Sequence, residues 1–549
     1  MAIQAVSGST ATALVIIVSL LVLIIGYLRA TIVPKAAEKA TASVLASTPT
    51  EPSKLTKTLA SALPESVIAQ QNSTEFKRSI NSYWAQQECE IVPACVVRPR
   101  NAEELSKAVK ILKEEFDVEV YRKGDKKTEG LFAVRGGGHS PLPGAASIDD
   151  GVVIDLSLFR EVTPSEDGTS VVIGGGCKWA DVSKVLDGRG LAVVGGRNSA
   201  VGVGGLTLGG GLSFFSPRFG MVCSNIISYE IVLASGTITT ASSTNNPDLW
   251  RALKGGSNNF GIVTSFTARS FSCSKIWSGF LYLPSFQTNK VLSTFHESVN
   301  RVNSDTYDNF AAGPIACFSY VHAIGLKIIS VNLCYTQAPE NEKKWPIYWQ
   351  TSGFSNLWRI WSTLKVQKLT SATDEMNMLN PPGRRQVFAM TTIKNDPATL
   401  AAAHAAYDAA ISSLRRVKVK GLVWTLVMQP LLPDWVHKGD ANPLGLNDVD
   451  EALVIVSFTV NWDEAQNDDF VKSTTRQTVE KIEVFAVANK TAHRYRYVNY
   501  CAEWQKPFDG YGQANVEFLK RVSRNYDPEG LFQDGCVGGF KLGLENIEA

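Results

Sequence analysis

The sequence predicts an α+β fold with more than one domain. The 549 residues are 44% hydrophobic and 19% charged, which provides a large core in a chain longer than one ordinary domain. Short β-branched runs alternate with helical patterns up to about residue 272, and longer strand-like runs follow. We therefore expect an α+β domain at residues 88–272. A second domain, at 273–489, is expected to be an antiparallel sheet with helices on one face.

The elements of the first domain follow from local signals. The stretch "CVVRPRNAEELSKAVKILKEE" predicts a strand, a turn at Pro99 and a helix capped by Asn101. Strands are predicted for "GVVIDLSLF", "SVVIGGG" and "LAVVGG", with a short helix in "WADVSKVLDGRG" that ends at glycine. The stretch "SYEIVLASGTITTAS" is typical of a hairpin, and Pro247 begins a helix ahead of the strand "GIVTSFTARSF".

The second domain is predicted from four apolar runs and one long amphipathic stretch. The runs "KIWSGFLYLP", "KIISVNLCYT", "GLVWTLVMQPLL" and "ALVIVSFTVNW" have the composition of strands. The stretch "PATLAAAHAAYDAAISSLRR" is typical of a helix that covers the sheet.

Two glycine-rich stretches are the candidate functional loops. They are "FAVRGGGHSPLPGAAS" and "GGRNSAVGVGGLTLGGG", and regular structure is not expected in the second because glycine weakens both helix and strand. Neither the Rossmann GxGxxG context nor a Walker A Gly-Lys-Ser/Thr is present. We interpret residues 135–140 and 196–211 as two loops that cradle a diphosphate. A set of tight turns is the alternative.

Four segments carry a family resemblance: "VRGGGHSPLPGAASIDDGVVIDLS", "VGVGGLTLGGGLSFFSPRFG", "DLWRALKGGSNNFGIVTSF", and "YVNY" followed by "NYDPEGLF". They resemble the berberine-bridge-enzyme-like flavoproteins of the vanillyl-alcohol oxidase / p-cresol methylhydroxylase superfamily. The first loop is most similar to fungal members of secondary-metabolite pathways. The resemblance covers residues 88–272 and 490–540. It implies an FAD-binding domain of the p-cresol methylhydroxylase type, which consists of two subdomains. It also implies that the C-terminal segment, 490–549, packs against this FAD-binding domain.

The resemblance also implies FAD bound covalently through the ring of His139 to the 8α-methyl group of the flavin. The cofactor-binding residues expected from it are Arg135, Gly136, Gly137, Gly138, His139, Ser140, Gly196, Asn198, Val201, Gly202, Gly205, Leu206, Gly209, Gly210, Gly261, Ile262, Val263 and Asn499.

Three positions refine this expectation. Asn198 stands where some relatives attach the flavin a second time through cysteine, so a single covalent bond is expected. Pro141 stands where some relatives have a tyrosine near the catalytic centre, which removes that proton-transfer group. Val201 occupies a position where valine accompanies oxygen reactivity in relatives, which favours an oxidase.

The expected activity is removal of hydride from a C–H bond beside an alcohol or amine of a small molecule. FAD would accept the hydride, and O2 would reoxidise the flavin. Gln429 and Tyr500 are the candidate catalytic residues facing the substrate, although each could instead be structural. The alternatives are a carbohydrate oxidase and a non-catalytic ligand binder with the flavoprotein fold.

Composition argues against two other classes of ligand. A formal net charge of only +2, with basic residues spread along the chain, indicates no nucleic-acid partner. The nine cysteines are too scattered for a zinc site, so no metal is expected.

The N-terminus predicts a membrane segment. Residues 11–28, "ATALVIIVSLLVLIIGYL", lack charge and approach the length of a membrane-spanning helix, and we favour a retained single-pass anchor over a cleaved signal that would lead to secretion. The basic residues that follow favour a cytosolic enzyme, whereas sequons at Asn72 and Asn489 favour a glycoprotein in the endomembrane lumen, which we prefer. Residues 29–82 are expected to be a tether with little core of its own.

Overall fold

The computed structural model describes residues 52–123 and 130–543. The first domain contains two sheets. Its elements, in chain order, are α1 (Lys54–Ala62), β1 (Val67–Ile68), α2 (Thr74–Ile80), α3 (Gln86–Cys89), β2 (Cys95–Val97), α4 (Ala102–Lys123), β3 (Phe132–Arg135), β4 (Val152–Asp155), β5 (Val162–Pro164), β6 (Ser170–Gly174), α5 (Trp179–Asp187), β7 (Leu191–Val193), α6 (Val203–Leu208), α7 (Ser216–Phe219), β8 (Ile226–Val232), β9 (Ile238–Ser242), α8 (Pro247–Ala252) and β10 (Ile262–Ser272).

The two sheets correspond to the two expected subdomains. The four-stranded sheet has the order β1-β2-β4-β3, with β2 and β3 parallel to β4. The six-stranded sheet has the order β5-β6-β10-β8-β9, and β7 also pairs with β10. The predicted hairpin is confirmed by the antiparallel pairing of β8 and β9. The Asn101 cap is confirmed as well, because its side-chain oxygen accepts the N–H of Glu104 at 2.9 Å.

The prediction of a tether up to residue 82 is wrong from Lys54 onward. Helices α1 and α2 bury Leu59 and Phe76 completely, and β1 pairs with β2. Phe76 packs with apolar residues of the parallel sheet, including Val96 and Val153. The first domain therefore begins well before residue 88, because this segment packs on the parallel sheet and buries its apolar residues.

The second domain is one nine-stranded antiparallel sheet, as expected. Its elements are β11 (Ile276–Pro284), α9 (Thr288–Asn300), β12 (Ala311–Val321), β13 (Leu326–Tyr335), α10 (Ile347–Gln350), β14 (Trp361–Ser362), β15 (Lys365–Gln367), α11 (Leu369–Met378), β16 (Arg385–Lys394), α12 (Pro397–Leu414), β17 (Val423–Leu431), α13 (Pro433–Val436), β18 (Leu453–Trp462), α14 (Asp468–Ala488) and β19 (Ala492–His493). The main strand order is β14-β11-β13-β12-β17-β18-β16-β19.

Alternation along these strands separates two faces of the sheet. On β18, Val454, Val456 and Phe458 belong to a core shared with helices α9, α12 and α14, whereas Ile455 belongs to the core of the first domain. The helices thus cover one face of the sheet, and the other face packs against the first domain. The boundary expected at residue 489 is slightly early, because β19 still pairs with β16.

The C-terminal segment returns to the first domain, as expected. Helix α15 (Gln513–Tyr526) places the hydroxyl of Ser523 where it donates to the carbonyl of Asn259 at 3.1 Å. The hydroxyl of Tyr511 donates to the carbonyl of Gly255 at 2.9 Å.

The membrane prediction falls on residues 11–28, which lie outside the described residues. Within 52–123 and 130–543, no helix combines the length and the apolar character needed to cross a bilayer. Asn72 and Asn489 are both exposed, and their glycosylation remains a prediction.

We predict that Phe76→Ala destabilises the first domain by about 3 to 5 kcal/mol, because it removes a fully buried aromatic side chain. Phe286→Ala is the matched control, since Phe286 is 76% exposed, and it should cost less than about 0.5 kcal/mol. Thermal unfolding of both variants provides the comparison. Equal melting temperatures for the two variants would show that residues 54–82 are a tether after all.

Candidate active site

The two glycine-rich loops touch each other through their backbones. A Cβ atom on Gly137 would lie 2.5 Å from the Cα of Gly202, and one on Gly202 would lie 2.6 Å from the nitrogen of Gly137. Real Cβ atoms do not approach backbone this closely, so both positions require glycine. The two predicted loops, 135–140 and 196–211, are therefore in contact, and their role as a diphosphate cradle stays a prediction.

Gly175 joins a third segment to this contact. If Gly136 carried a Cβ atom, that atom would lie 3.3 Å from the carbonyl oxygen of Gly175. A Cβ atom on Gly204 would lie 3.2 Å from the same oxygen. The N–H of Gly175 donates to the carbonyl of Thr264 at 2.7 Å, in the strand that follows Gly261. The carbonyl oxygen of Val263 also lies 2.6 Å from the Cβ that Gly175 lacks, so the strand that contains the predicted residues Ile262 and Val263 contacts this third segment. The side chains of Ile262 and Val263 are buried in apolar cores, so only their backbone is available to a ligand.

His139 lies at the end of the first loop, stacked against a tryptophan. The ring centroids of Trp84 and His139 are 4.2 Å apart, and the ring planes differ by 10°. Trp84 is itself held by three hydrogen bonds: its N–H donates to Gly138, its indole donates to Asn380, and its carbonyl accepts from Gly383. The N-terminal segment thus positions the ring that the sequence predicts as the flavin anchor, a role that the sequence did not suggest for Trp84.

The imidazole of His139 is neutral and has a free nitrogen. Burial lowers the pKa of His139 to about 3, and the positive charge of Lys178 acts in the same direction. Its Nε2 atom is buried, and no group among the described residues hydrogen-bonds to it. A buried polar atom without a partner is costly, so this nitrogen is available to a bound group.

Arg135 corrects one prediction. Its guanidinium forms a buried ion pair with Asp155 at 2.5 Å and donates to the carbonyl and hydroxyl of Ser79. It also lies 4.6 Å from the centre of the Tyr83 ring. The side chain therefore ties the end of β3 to β4 and α2, and it is not free to bind a cofactor phosphate.

The second loop is more regular than expected. Residues Val203–Leu208 form the short helix α6, because Gly202 allows its first turn to pack against the first loop. Before the helix, the side-chain oxygen of Asn198 accepts the N–H of Ala200 at 2.9 Å. Val201 is half-buried against the core, and its carbonyl accepts the N–H of Trp179. The position that a Cβ of Gly205 would occupy has no atom within 4 Å, which leaves open space beside the helix.

The remaining predicted loop residues have structural neighbours. Gly138 adopts φ of +64° and approaches Tyr83, Gly196 lies against the indole of Trp179, and Gly210 adopts φ of +104° beside Leu444. The hydroxyl of Ser140 accepts the N–H of Leu142 at 3.2 Å.

Asn499 brings the C-terminal segment onto α6. Its side-chain amide donates to the carbonyl of Leu206 at 3.1 Å and to the hydroxyl of Tyr497 at 3.0 Å. The amide also lies against Gly209, where any side chain would collide with it. Asn499 therefore contacts the second loop, and its predicted role in cofactor binding stays a prediction.

An arginine that sequence reasoning missed, Arg197, contacts Tyr500 and lines a cavity together with Gln429. The Nη2 of Arg197 donates to the hydroxyl of Tyr500 at 3.1 Å. Arg197 and Gln429 line the same cavity, with Phe214, Ile315 and Trp435 among its apolar walls. The position of Arg197 between Gly196 and Asn198 was the available signal, because a charged residue inside a ligand loop favours a role in the site.

Glu88 supports the segment that follows His139. Its carboxylate accepts the N–H of Ala145 at 2.8 Å, and its second oxygen is buried without a partner. Burial raises the pKa of Glu88 to about 8, although the hydrogen bonds from Ala145 and Ala146 lower it. The carboxyl group is therefore mostly protonated near neutral pH.

Comparison with known proteins now identifies the family. A family profile described as an FAD binding domain matches residues 93–242. The FAD-dependent monooxygenase tpcD of Cochliobolus heterostrophus is 33% identical over 476 residues, which cover 84% of this chain and 87% of the relative. The chain belongs to this family of FAD-dependent oxidoreductases. The relatives include further fungal proteins named FAD-dependent monooxygenases, such as sdcF of Emericella nidulans, 31% identical over 86% of this chain and 95% of the relative.

Solved structures share the fold. A variant of berberine bridge enzyme in complex with (S)-reticuline aligns with a TM-score of 0.68 and 14% identity, over 90% of this chain and 99% of that one. Glucooligosaccharide oxidase from Acremonium strictum, described with a 6-S-cysteinyl, 8α-N1-histidyl FAD, aligns with a TM-score of 0.64 and 18% identity over 89% and 99%. The predicted berberine-bridge-enzyme-like fold is confirmed, and the chain is an FAD-dependent oxidoreductase of this type.

We predict that Glu88→Gln becomes more stable than the unchanged protein as pH rises. In the folded state Glu88 keeps its proton up to about 8, whereas the unfolded chain loses it near 4.5. The folded protein therefore binds one more proton in this window, and its stability falls with rising pH by up to about 1.4 kcal/mol per pH unit. Glutamine can still accept from Ala145 and does not titrate.

Melting temperatures of both proteins between about pH 5 and pH 8 measure this difference. Glu166→Gln, at an exposed position, is the control and should follow the unchanged protein throughout. Parallel curves for Glu88→Gln and the unchanged protein would show that the carboxyl group is not held protonated.

Proposed function

We propose that this chain is an oxidase that carries FAD bonded to His139 and oxidises a C–H bond beside an alcohol or amine of a fungal secondary metabolite, with O2 as electron acceptor. The observation that carries the proposal is the buried, unpartnered Nε2 of His139 at the meeting point of two glycine loops. A covalent bond would give this nitrogen the partner it lacks.

The residues present fit the cofactor. A neutral imidazole has a lone pair available for bond formation, and the low pKa of His139 keeps the ring neutral across the physiological range. The close approach of the two glycine loops would let backbone N–H groups reach a diphosphate without obstruction by side chains. When bound, FAD accepts a hydride and passes electrons on to O2.

The protein side chains on the substrate side are Tyr500, Arg197 and Gln429. The described residues provide no hydrogen-bond partner for the amide of Gln429, which is buried and lines the cavity. We infer that this amide and the hydroxyl of Tyr500 hold the oxygen or nitrogen of the substrate. Tyr500 is also our candidate for accepting the proton that leaves this atom, because Pro141 offers no group for that purpose.

The names of the fungal relatives favour a second candidate, a monooxygenase. The two activities differ in the fate of oxygen, because only a monooxygenase transfers an atom of O2 to the product. Turnover under 18O2 with mass analysis of product and peroxide separates them. A carbohydrate oxidase is less favoured, since the cavity walls are mainly apolar and Asn198 replaces the second attachment site.

We predict that flavin stays with the unchanged protein after acid precipitation, because the bond to His139 survives denaturation. His139→Ala should release its flavin into the supernatant while retaining FAD in native buffer, since the glycine loops are unaltered. Absorbance of pellet and supernatant measures both quantities. His404→Ala, at a half-buried histidine of α12, is the control and should keep the flavin attached. Flavin extracted freely from the unchanged protein contradicts the assignment.

We predict that Val201→Leu slows reoxidation by O2 much more than reduction by substrate, because a larger side chain beside the loop contact narrows the approach of the gas. Stopped-flow measurement of the two half-reactions provides the comparison. Overpacking alone costs about 1 to 3 kcal/mol, so Val171→Leu, in the core of β6, controls for loss of stability. Equal slowing of both half-reactions would mean that Val201 is only a core residue.

A further inference from the structure

Trp84, the stacking partner of His139, is held in place by the second domain. Its indole N–H donates to the carbonyl of Asn380 at 2.9 Å, and its own carbonyl accepts the N–H of Gly383 at 3.0 Å. The ring of Phe388, on β16, meets the Trp84 ring at 5.6 Å with the planes 65° apart. The indole is therefore positioned by β16 and by the loop that precedes this strand.

Further hydrogen bonds join the segment 84–90 to the start of β16. The backbone N–H of Gln86 donates to the carbonyl of Arg384 at 2.9 Å. The side chain of Gln87 bonds twice to the backbone of Gln386, because it donates to the carbonyl at 2.5 Å and accepts the N–H at 3.0 Å. Both glutamines of this pair are buried. The position of the 84–90 segment thus depends on docking of the second domain.

The stack orients His139 without occupying its free nitrogen. The two ring planes are nearly parallel at 4.2 Å, so the indole covers a face of the imidazole. The lone pair of an imidazole nitrogen lies in the ring plane, and Nε2 is buried with no hydrogen-bond partner among the described residues. The second side-chain torsion of histidine is broad, so an unstacked ring could turn away. Trp84 fixes the direction of the lone pair and leaves it available.

Covalent attachment at this nitrogen has a defined balance. A bond forms between the imidazole nitrogen and the 8α carbon, and the imidazole and the methyl group each lose one hydrogen. These two hydrogens and their electrons pass through the flavin to O2, the oxidant of the proposed function, which becomes H2O2. Positive charge develops on the imidazole as the bond forms, and an indole face within about 6 Å attracts such a charge. Trp84 can therefore contribute both orientation and charge stabilisation.

We propose that Trp84 is a positioning residue for the attachment of FAD to His139, and that attachment is fast only when the second domain is docked on the 84–90 segment. This inference rests on the proposed function, because it concerns the bond at the same histidine. Orientation of reacting groups can change a rate by orders of magnitude. Non-covalent binding of FAD would depend on the glycine loops instead, so binding and attachment are separable.

The test measures bound and attached flavin separately in the full chain. Protein is purified from flavin-replete cells after a short induction and is then incubated in air with excess FAD. Flavin that stays with the native protein on a desalting column gives the bound amount. Flavin in the acid-precipitated pellet gives the attached amount, and its increase with time gives the rate of attachment.

Two variants of Trp84 test the stack. Trp84→Leu should bind as much flavin as the unchanged protein and attach it at least about tenfold more slowly, because the imidazole loses its stacking partner. Trp84→Phe should attach flavin within about threefold of the unchanged rate, because phenylalanine keeps an aromatic face. Trp358→Leu is the control, at a tryptophan of the second domain that is 54% exposed, and should match the unchanged protein.

Gln87→Leu tests the contribution of the second domain. It removes both hydrogen bonds to Gln386 and leaves Trp84 and the glycine loops unaltered. Attachment should slow by at least about threefold, with the bound flavin unchanged. Gln71→Leu is the matched control, since the side chain of Gln71 donates to the carbonyl of Pro93 at 3.1 Å within the first domain. This control should attach flavin at the unchanged rate.

Other results would overturn the inference. Equal attachment rates in Trp84→Leu and the unchanged protein would remove the role of the stack, and an unchanged rate in Gln87→Leu would remove that of the second domain. Loss of bound and attached flavin in equal proportion, in Trp84→Phe as well as in Trp84→Leu, would make Trp84 part of the binding site alone. Melting temperatures identify a variant that does not fold, and the remaining variants then decide.

Failure of the proposed function gives a different result. Flavin that never resists acid in the unchanged protein contradicts the bond at His139 itself. Acid-resistant flavin in the unchanged protein, formed equally fast in the Trp84 and Gln87 variants, contradicts this inference alone.

Discussion

The backbone contact between Gly137 and Gly202 is the steric constraint on which the site depends. Neither residue can carry a Cβ, since it would overlap the other loop. The contact sets the distance between the predicted anchor, His139, and the predicted oxygen gate, Val201, because each lies within two residues of it. Trp84 then fixes the plane of the imidazole from a segment far from both loops in sequence. The glycine contact and the stacked tryptophan together hold residues from three parts of the chain close to one another.

Much of the fold could be predicted because its signals are local. Alternation in the strands, the Asn101 cap and the hairpin β8–β9 depend on neighbours a few residues away. The two glycine loops could be predicted for the same reason. The packing of residues 54–82 was not predicted, because the composition rich in Ala, Ser, Thr and Lys outweighed the helical spacing of Leu55, Leu59 and Leu63. Their burial depends on strands that follow later in the chain.

The two arginines beside the glycine loops show why side-chain roles were harder to predict. Arg135 and Arg197 look equivalent in the sequence, and only Arg135 was selected as a cofactor ligand. The structure engages the Arg135 side chain in a buried ion pair with Asp155, whereas Arg197 donates to the hydroxyl of Tyr500. Both partners are brought in by sheet pairing and by the returning C-terminal segment, which no local pattern encodes. Tyr500 and Gln429 stay predictions as catalytic residues, and Arg197, which contacts Tyr500 and lines a cavity with Gln429, was not selected.

The central claim is that one covalent bond, at His139, attaches the flavin inside this cradle. Proteolysis of the purified protein followed by mass spectrometry tests it most directly, because the mass of the flavin adduct identifies the peptide and fragmentation identifies the residue. The account predicts a single flavin-bearing peptide, modified on His139, and unmodified peptides for all nine cysteines. Flavin on a cysteine, or on no peptide at all, would contradict it.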